Sequence, residues 1–154
     1  MIDTPTIVRT ERQETAVIHL DIPRSEIRRV MDPAIREVMS VVTGQAIGPI
    51  GPLCAYHLGT SKERFDFEVG FPVRAPVKPS GRVKPGELPA ARVARTIYRG
   101  PYEDLFNAWA EFNAWVDANG HRREPRLWER YLNGPDASSD PSRLQTELNR
   151  PLRD

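Results

Sequence analysis

The sequence AVIHLDIP at residues 16–23 and the sequence ARTIYRGP at residues 94–101 begin two similar successions of predicted elements. In each half, a strand that ends in proline is followed by an amphipathic helix and then by two further strands. The aligned pairs are Pro23 with Pro101, Tyr56 with Tyr131, Glu68 with Glu147, and Pro72 with Pro151. The order of the elements and their spacing both repeat, which indicates that a strand-helix-strand-strand unit occurs twice.

The duplicated unit predicts an α+β fold in which two β-α-β-β repeats, related by a pseudo-twofold axis, form antiparallel sheets. Each amphipathic helix would cover one face of its sheet, so the two main helices would flank a central ligand groove. The length of 154 residues suits a single domain over residues 1–154, with repeat halves at about 6–78 and 82–154.

The first helix is predicted from apolar residues at helical spacing between Ile27 and Val42. Pro33 lies inside this pattern, and proline is tolerated best in the first turn of a helix. We therefore predict a short turn at residues 24–31 and a main helix from Pro33 to Val42, with Asp32 as its N-cap.

Strands are predicted where β-branched and aromatic residues are enriched and alternate with polar residues. Residues 6–20 are typical of one long or bulged strand, and residues 65–71 alternate cleanly. Residues 72–89, which contain five prolines, predict an extended connection with a short strand near residues 81–84. Residues 134–142 predict a polar loop.

The composition argues against several classes of protein. The chain carries 22 Lys and Arg against 21 Asp and Glu, a net charge of +1, which argues against direct binding of nucleic acid. No apolar run approaches the roughly 20 residues of a membrane span, and the N-terminus lacks a secretory signal, so we expect a cytoplasmic location. With one cysteine, three dispersed histidines and no phosphate-binding loop, the sequence predicts neither a metal site nor a cofactor.

Three stretches carry a resemblance to a known family: YRGPYEDL at residues 98–105, WERY at 128–131 and TELNRPL at 146–152, together with Asp140–Pro141. They resemble the GyrI-like superfamily, which includes the effector-binding domains of multidrug-responsive MerR-type and AraC-type regulators. The resemblance spans nearly the whole chain and implies a tandem β-α-β-β repeat with a ligand groove between the halves. It also implies that a buried carboxylate on the penultimate strand receives organic cations between aromatic rings, and Glu129 matches that position.

The predicted groove is lined by residues of the central strands. Because a strand has a period of two, Glu129 and Tyr131 share one face, and the repeat alignment gives Cys54 and Tyr56 as their counterparts. A lipophilic cation would neutralise the buried carboxylate, and aromatic rings would add cation–π contacts of about 0.5–2 kcal/mol each. The alternative is that Glu129 pairs with Arg95, Arg126 or Arg130 on a solvated sheet.

The second helix is predicted from the stripe Leu105, Trp109, Phe112 and Val116, and it ends at Asn119–Gly120. Phe112 is expected to pack in the core, whereas Trp109 either packs there or walls the groove. Glu68 and Glu147 occupy equivalent positions, and we expect a structural role for them, such as salt bridging. The predicted ligand-binding residues are Glu129, Tyr131, Tyr56, Trp109, Phe106 and Cys54.

Two functions from different classes fit these residues. The preferred one is a stand-alone module that senses or sequesters amphipathic, cationic or aromatic compounds, alone or through an unidentified protein partner. The second is an enzyme, because some stand-alone GyrI-like proteins hydrolyse reactive cyclopropane-bearing natural products; Glu129 would then be catalytic and activate water, while a tyrosine protonates the substrate. A weaker third function is inhibition of DNA gyrase, which some relatives bind, although a net charge of +1 predicts no acidic surface for it.

Overall fold

The computed structural model describes residues 2–60, 63–133 and 143–153, which form two α-helices, nine β-strands and two short 3-10 turns. The helices are α1 (Ile27–Gly44) and α2 (Leu105–Ala118), preceded by 3-10 turns at Arg24–Glu26 and Tyr102–Asp104. The strands are β1 (Thr6–Arg9), β2 (Gln13–Pro23), β3 (Cys54–Thr60), β4 (Arg64–Pro72), β5 (Lys84–Leu88), β6 (Arg92–Arg99), β7 (Arg122–Arg123), β8 (Leu127–Tyr131) and β9 (Gln145–Arg153). The predicted polar loop at residues 134–142 lies outside the described residues. Within the described ranges, no helix is both long and apolar enough to cross a membrane.

The described strands pair antiparallel in the order β1-β6-β9-β8-β3-β4-β2-β5, and the short β7 pairs with β9. This order is symmetric about the central β3–β8 pair, because β4, β2 and β5 follow β3 as β9, β6 and β1 follow β8. A large antiparallel sheet with two main helices confirms the predicted α+β fold with its tandem repeat.

The two faces of the sheet have different coverings. α1 packs over the first repeat and α2 over the second, on the surface that we call the helix face; the opposite surface is the open face. The buried side chains of α1 are Ala34, Val38 and Val42, which join Ile18 and Val69 of the sheet in one core. Those of α2 are Ala108, Phe112 and Val116, which join Ala94 and Leu148 in a second core, so the core role predicted for Phe112 is confirmed.

The first helix is continuous, and the predicted turn at residues 24–31 with Asp32 as N-cap is wrong. Pro33 lies inside α1 with an exposed side chain. Proline removes one hydrogen bond to the carbonyl four residues earlier, but on the exposed side of a helix water can satisfy that carbonyl. Burial of the opposite side of α1 against the sheet outweighs the local preference against an internal proline.

The chain begins with two strands rather than the predicted single long one. β1 pairs with β6 of the second repeat, whereas β2 pairs with β4 and β5 of the first. Thr10, between them, donates its backbone N–H to the carbonyl of Ala91 and its hydroxyl to that of Pro89. The connection at residues 72–89 contains β5, which begins at Lys84, where the predicted short strand ends.

Candidate functional site

Glu129 lies in the middle of β8, at the centre of the symmetric sheet. It pairs with Ala55 of β3, and its side chain lies on the helix face, where it contacts α2. The residue is only 5 % exposed. A carboxylate therefore lies buried where the two repeats meet, and its polar contacts decide what it can do.

Two neutral groups donate hydrogen bonds to the Glu129 carboxylate. The indole N–H of Trp109 donates to Oε2 over 2.7 Å, and the hydroxyl of Tyr131 donates to Oε1 over 2.6 Å. The pKa of Tyr131 is raised well above its usual value, chiefly by burial and then by the nearby Glu129 charge, so its phenol stays protonated and acts as a donor. A carboxylate offers about four acceptor positions, so these two bonds leave part of its capacity unused.

No Lys or Arg of the described residues forms an ion pair with Glu129, so the alternative in which an arginine neutralises it is wrong. Arg95 and Arg130 both contact Glu147 on the open face, at 3.4 Å and 3.2 Å. Arg126 donates to the hydroxyl of Tyr56. The salt bridging predicted for Glu147 is thereby confirmed, as it is for Glu68, which pairs with Lys84 at 3.3 Å.

His57 is a basic group that approaches Glu129, with 3.9 Å between Nε2 and Oε1. Burial lowers the pKa of His57 below its usual value of 6.5, although the Glu129 charge partly opposes this shift. The ring stacks on Phe67, with 5.0 Å between the ring centres. At neutral pH His57 is therefore mainly uncharged, and no Lys or Arg of the described residues lies within ion-pair distance of the Glu129 carboxylate.

Trp109 is held from two directions. Its edge is bonded to Glu129, and the guanidinium of Arg150 lies over its ring, 5.2 Å from the ring centre. Burial lowers the pKa of Arg150 to about 10, which still leaves it charged at neutral pH. Arg150 also donates to the backbone carbonyl of Glu124. The indole thus forms a wall beside the carboxylate on the side of α2.

The starts of the two helices face each other near this wall. Arg28 in the first turn of α1 lies 4.0 Å from Glu103 in the 3-10 turn before α2, and both side chains are exposed. Tyr102 from the same turn meets the ring of Tyr131 edge-on at 5.8 Å. We call the cluster of side chains next to the helix starts, which consists of Glu129, Tyr131, Trp109, His57 and Tyr102, the carboxylate site.

The structure does not bring Tyr56 and Cys54 to Glu129, so the predicted symmetric groove is wrong. Tyr56 pairs with Trp128 and Cys54 with Arg130, which places both side chains on the open face. Glu68 pairs with Tyr56 as Glu147 pairs with Arg130, so Tyr56 corresponds to Arg130 and not to Tyr131. A shift of one residue in the alignment of the repeats moves every side chain of a strand to the other face.

The remaining predicted residues divide between the site and the surface. Glu129, Tyr131 and Trp109 meet in the carboxylate site, whereas Phe106 is 73 % exposed and takes no part in the contacts described around Glu129. His57 and Tyr102 are missing from the predicted set. The period of two places His57 on the face of β3 opposite to Tyr56, so its position beside Glu129 follows only once the register of β3 against β8 is known.

Glu129 is the acidic group of the carboxylate site, and aromatic side chains surround it. Within the described residues, no group of three or more His, Cys, Asp or Glu side chains could hold a metal. One buried carboxylate among aromatic rings combines a negative charge with faces that attract cations.

The sequence and the fold are similar to those of known proteins. A model of the GyrI-like small molecule binding domain matches residues 4–153. The crystal structure of the EcmrR C-terminal domain has a TM-score of 0.80 and 21% identity, and the match covers 98% of each chain. The EcmrR chain of an EcmrR–DNA complex has a TM-score of 0.79 and 23% identity. That match covers 98% of the present chain, which spans only 57% of the EcmrR chain.

Two more distant structures share the fold. SAV2435 bound to tetraphenylphosphonium has a TM-score of 0.69 and 10% identity, and the match covers 98% of this chain and 94% of that one. A hydrolase from Listeria innocua has a TM-score of 0.63 and 13% identity, with 97% and 91% covered. No curated protein matches the chain.

Proposed function

The chain belongs to the family of GyrI-like small molecule binding domains, and we propose that it binds amphipathic organic cations in the carboxylate site. The observation that carries this proposal is the Glu129 carboxylate, which is buried, bonded only by neutral donors and balanced by no cation of the described residues. A buried charge without a counter-charge is costly in the free protein. A bound cation would supply the missing charge.

The walls of the site suit the apolar part of such a ligand. Trp109 contacts Oε2 of the carboxylate, whereas Tyr131 and His57 both approach Oε1. Tyr102 meets Tyr131 edge-on, and His57 stacks on Phe67. Aromatic faces attract cations by about 0.5–2 kcal/mol each and also bury apolar surface. A lipophilic cation with aromatic substituents would use both kinds of contact.

Binding at Glu129 requires side chains to move, because the residue is only 5 % exposed in the free protein. Trp109 occupies one carboxylate oxygen and is only partly buried, so its indole is the group that a ligand would displace or slide along. The exposed Arg28–Glu103 pair spans the helix starts, and an exposed ion pair of this kind is easily opened. A rearrangement of this kind would convert ligand binding into a change at the protein surface, which a partner protein could read; without such a partner, the protein would sequester the compound.

Tryptophan fluorescence tests whether the ligand binds where we propose. We expect methyltriphenylphosphonium to change the emission of the wild-type protein, and we expect the change to be lost in Trp109→Phe. Trp115→Phe is the matched control, because Trp115 lies on the same helix but stacks on His121 away from Glu129. The proposal fails if the phosphonium does not bind, or if Trp109→Phe keeps the full ligand-dependent change while Trp115→Phe loses it.

A hydrolase is the second candidate, and the contact between Glu129 and Tyr131 favours it. A buried carboxylate beside a protonated phenol can take a proton from water while the phenol gives one to the substrate. For a cyclopropane conjugated to a carbonyl, hydroxide would attack a ring carbon, the carbon–carbon bond would break, and the electron pair would move to the carbonyl oxygen, which Tyr131 protonates. Glu129 would then return its proton to Tyr131.

Mass spectrometry of such an electrophile incubated with the protein tests this second function. Addition of one water by the wild type, together with its loss in both Glu129→Gln and Tyr131→Phe, would support hydrolysis. Unchanged electrophile at high protein concentration, with phosphonium binding intact, would leave binding as the function and remove the hydrolase.

A further inference from the structure

The open face of the sheet carries a cavity of about 360 Å³ on the side opposite to Glu129. Its apolar lining includes Cys54, Leu88 and Trp128. These three residues belong to one buried cluster that also contains Tyr56 and Val93. The volume lies in the range of small-molecule sites, and the apolar floor is typical of them.

Two arginines reach this cavity from the strands on either side of β9. Arg95 of β6 and Arg130 of β8 both line it, and both contact the carboxylate of Glu147 on the strand between them. Arg95 donates through Nε to the side-chain oxygen of Asn149, and Arg130 donates through Nη1 to Glu147. Asn149 in turn donates to Glu147, so a hydrogen bond between two residues of β9 helps to hold this network in place.

The two guanidinium groups keep donors that the network does not use. In the described part of the chain, the contacts of Arg95 involve Nε and those of Arg130 involve Nη1. Nη1 and Nη2 of Arg95, and Nε and Nη2 of Arg130, have no partner among the described residues. Arginine donors arranged in a fork suit the two oxygens of a carboxylate.

The charges around the cavity leave a positive excess. Glu147 can neutralise one of its two arginines. The lining also contains Arg9 and Glu11, whose charges are opposite and cancel in the sum. Cys54 adds no negative charge, because burial raises the pKa of its thiol to about 12. An anion that enters the cavity would therefore meet one uncompensated positive charge and free guanidinium donors above an apolar floor.

We propose that this cavity, which we call the arginine site, binds organic anions that join a carboxylate to a flat apolar body. The carboxylate would lie against Arg95 and Arg130, and the apolar body would lie on Trp128 and Leu88. The arginine site would bind anions, whereas the carboxylate site would bind cations, and the sheet lies between the two sites. The proposal does not depend on the function proposed for Glu129.

The test uses 2-naphthoate and its neutral analogue 2-naphthalenemethanol, titrated by calorimetry at low and high salt. We expect naphthoate to bind at least about tenfold more tightly than the alcohol, since charge-assisted hydrogen bonds distinguish the two. Raising the salt should weaken naphthoate binding and leave alcohol binding unchanged. Equal affinities for the two compounds would overturn the proposal.

Substitutions then locate the anion. We expect Arg130→Met to weaken naphthoate binding about tenfold or more, and we expect Glu129→Gln, on the other face, to leave it unchanged. If Arg130→Met does not fold, the wild type still decides, because the indole N–H signals of Trp128 and Trp109 in an NMR spectrum report the two sites separately. Naphthoate should shift the Trp128 signal; a shift of Trp109 alone, or unchanged binding by folded Arg130→Met, would refute the arginine site. Binding of methyltriphenylphosphonium to the wild type and to Arg130→Met shows whether the carboxylate site is intact, so the two proposals fail independently.

Discussion

Replacing Glu129 with glutamine removes the charge of the carboxylate site while keeping its shape. The amide oxygen can accept the indole N–H of Trp109, and the amide nitrogen can donate to the hydroxyl oxygen of Tyr131, which can turn from donor to acceptor. Since no cation of the described residues balances Glu129, the substitution leaves no new unpaired charge behind. We therefore expect Glu129→Gln to fold normally, with a free energy of unfolding equal to or above that of the wild type.

The loss in affinity can be estimated from Coulomb's law. A cation whose charge lies about 4–5 Å from the carboxylate gains about 4 kcal/mol at an effective dielectric constant of about 20. Burial has already stripped water from Glu129, so the desolvation cost on binding falls mainly on the ligand. If about half of the Coulomb term remains after that cost, Glu129→Gln loses about 2 kcal/mol, or about 30-fold in the dissociation constant.

Calorimetric titration with methyltriphenylphosphonium and with neutral triphenylphosphine oxide measures this loss. Glu111→Gln, at an exposed position of α2, is the matched control, because it changes the net charge equally without touching the site. We expect only Glu129→Gln to weaken binding of the cation, and neither variant to weaken binding of the neutral compound. Phosphonium affinities within about threefold of the wild type for both variants would refute the electrostatic role of Glu129.

Three further predictions concern the fold around the site. Burial lowers the pKa of His57, so below about pH 6.5 this histidine is protonated in the unfolded chain before it is protonated in the folded one. The free energy of unfolding should therefore decrease as the pH is lowered. Urea titrations should show a weaker pH dependence for His57→Gln. Gly70→Ala would place a Cβ atom 1.8 Å from a backbone oxygen of β2 and should destabilise the fold by about 3 kcal/mol, whereas Gly59→Ala, with no atom within 4 Å, should stay within about 1 kcal/mol in the same assay. Pro33→Ala should restore a helical hydrogen bond and increase the free energy of unfolding by about 1–2 kcal/mol, after the greater entropy of the unfolded variant is subtracted. The thermal midpoint should rise accordingly, and an unchanged midpoint would contradict our account of α1.

The alternation of residues within single strands predicted the most about the site. The period of two placed Glu129 and Tyr131 on one face, and the structure confirms this through their hydrogen bond. The helical stripe likewise placed Trp109 and Phe112 towards the sheet. These are local properties, because they depend only on backbone geometry within one element.

Relations between elements were predicted less well. The pairing of Tyr56 with Tyr131 rested on an identity of residue type, and the hydrogen-bonded register shows that it is displaced by one residue. That displacement exchanged the faces of β3, so that Ala55 and His57 lie beside Glu129 instead of Cys54 and Tyr56. The sequence contains no local signal for this register, because buried residues occupy both faces of the central strands.

The sequence by itself determined that a β-α-β-β unit occurs twice, that the fold is α+β, and that a single carboxylate lies on the penultimate strand. Only the tertiary structure decided which side chains surround that carboxylate, that no arginine of the described residues neutralises it, and that Arg95 and Arg130 gather on the opposite face. The physical reason is that periodicity is set within an element, whereas ion pairing and burial depend on contacts between strands that lie far apart in the chain.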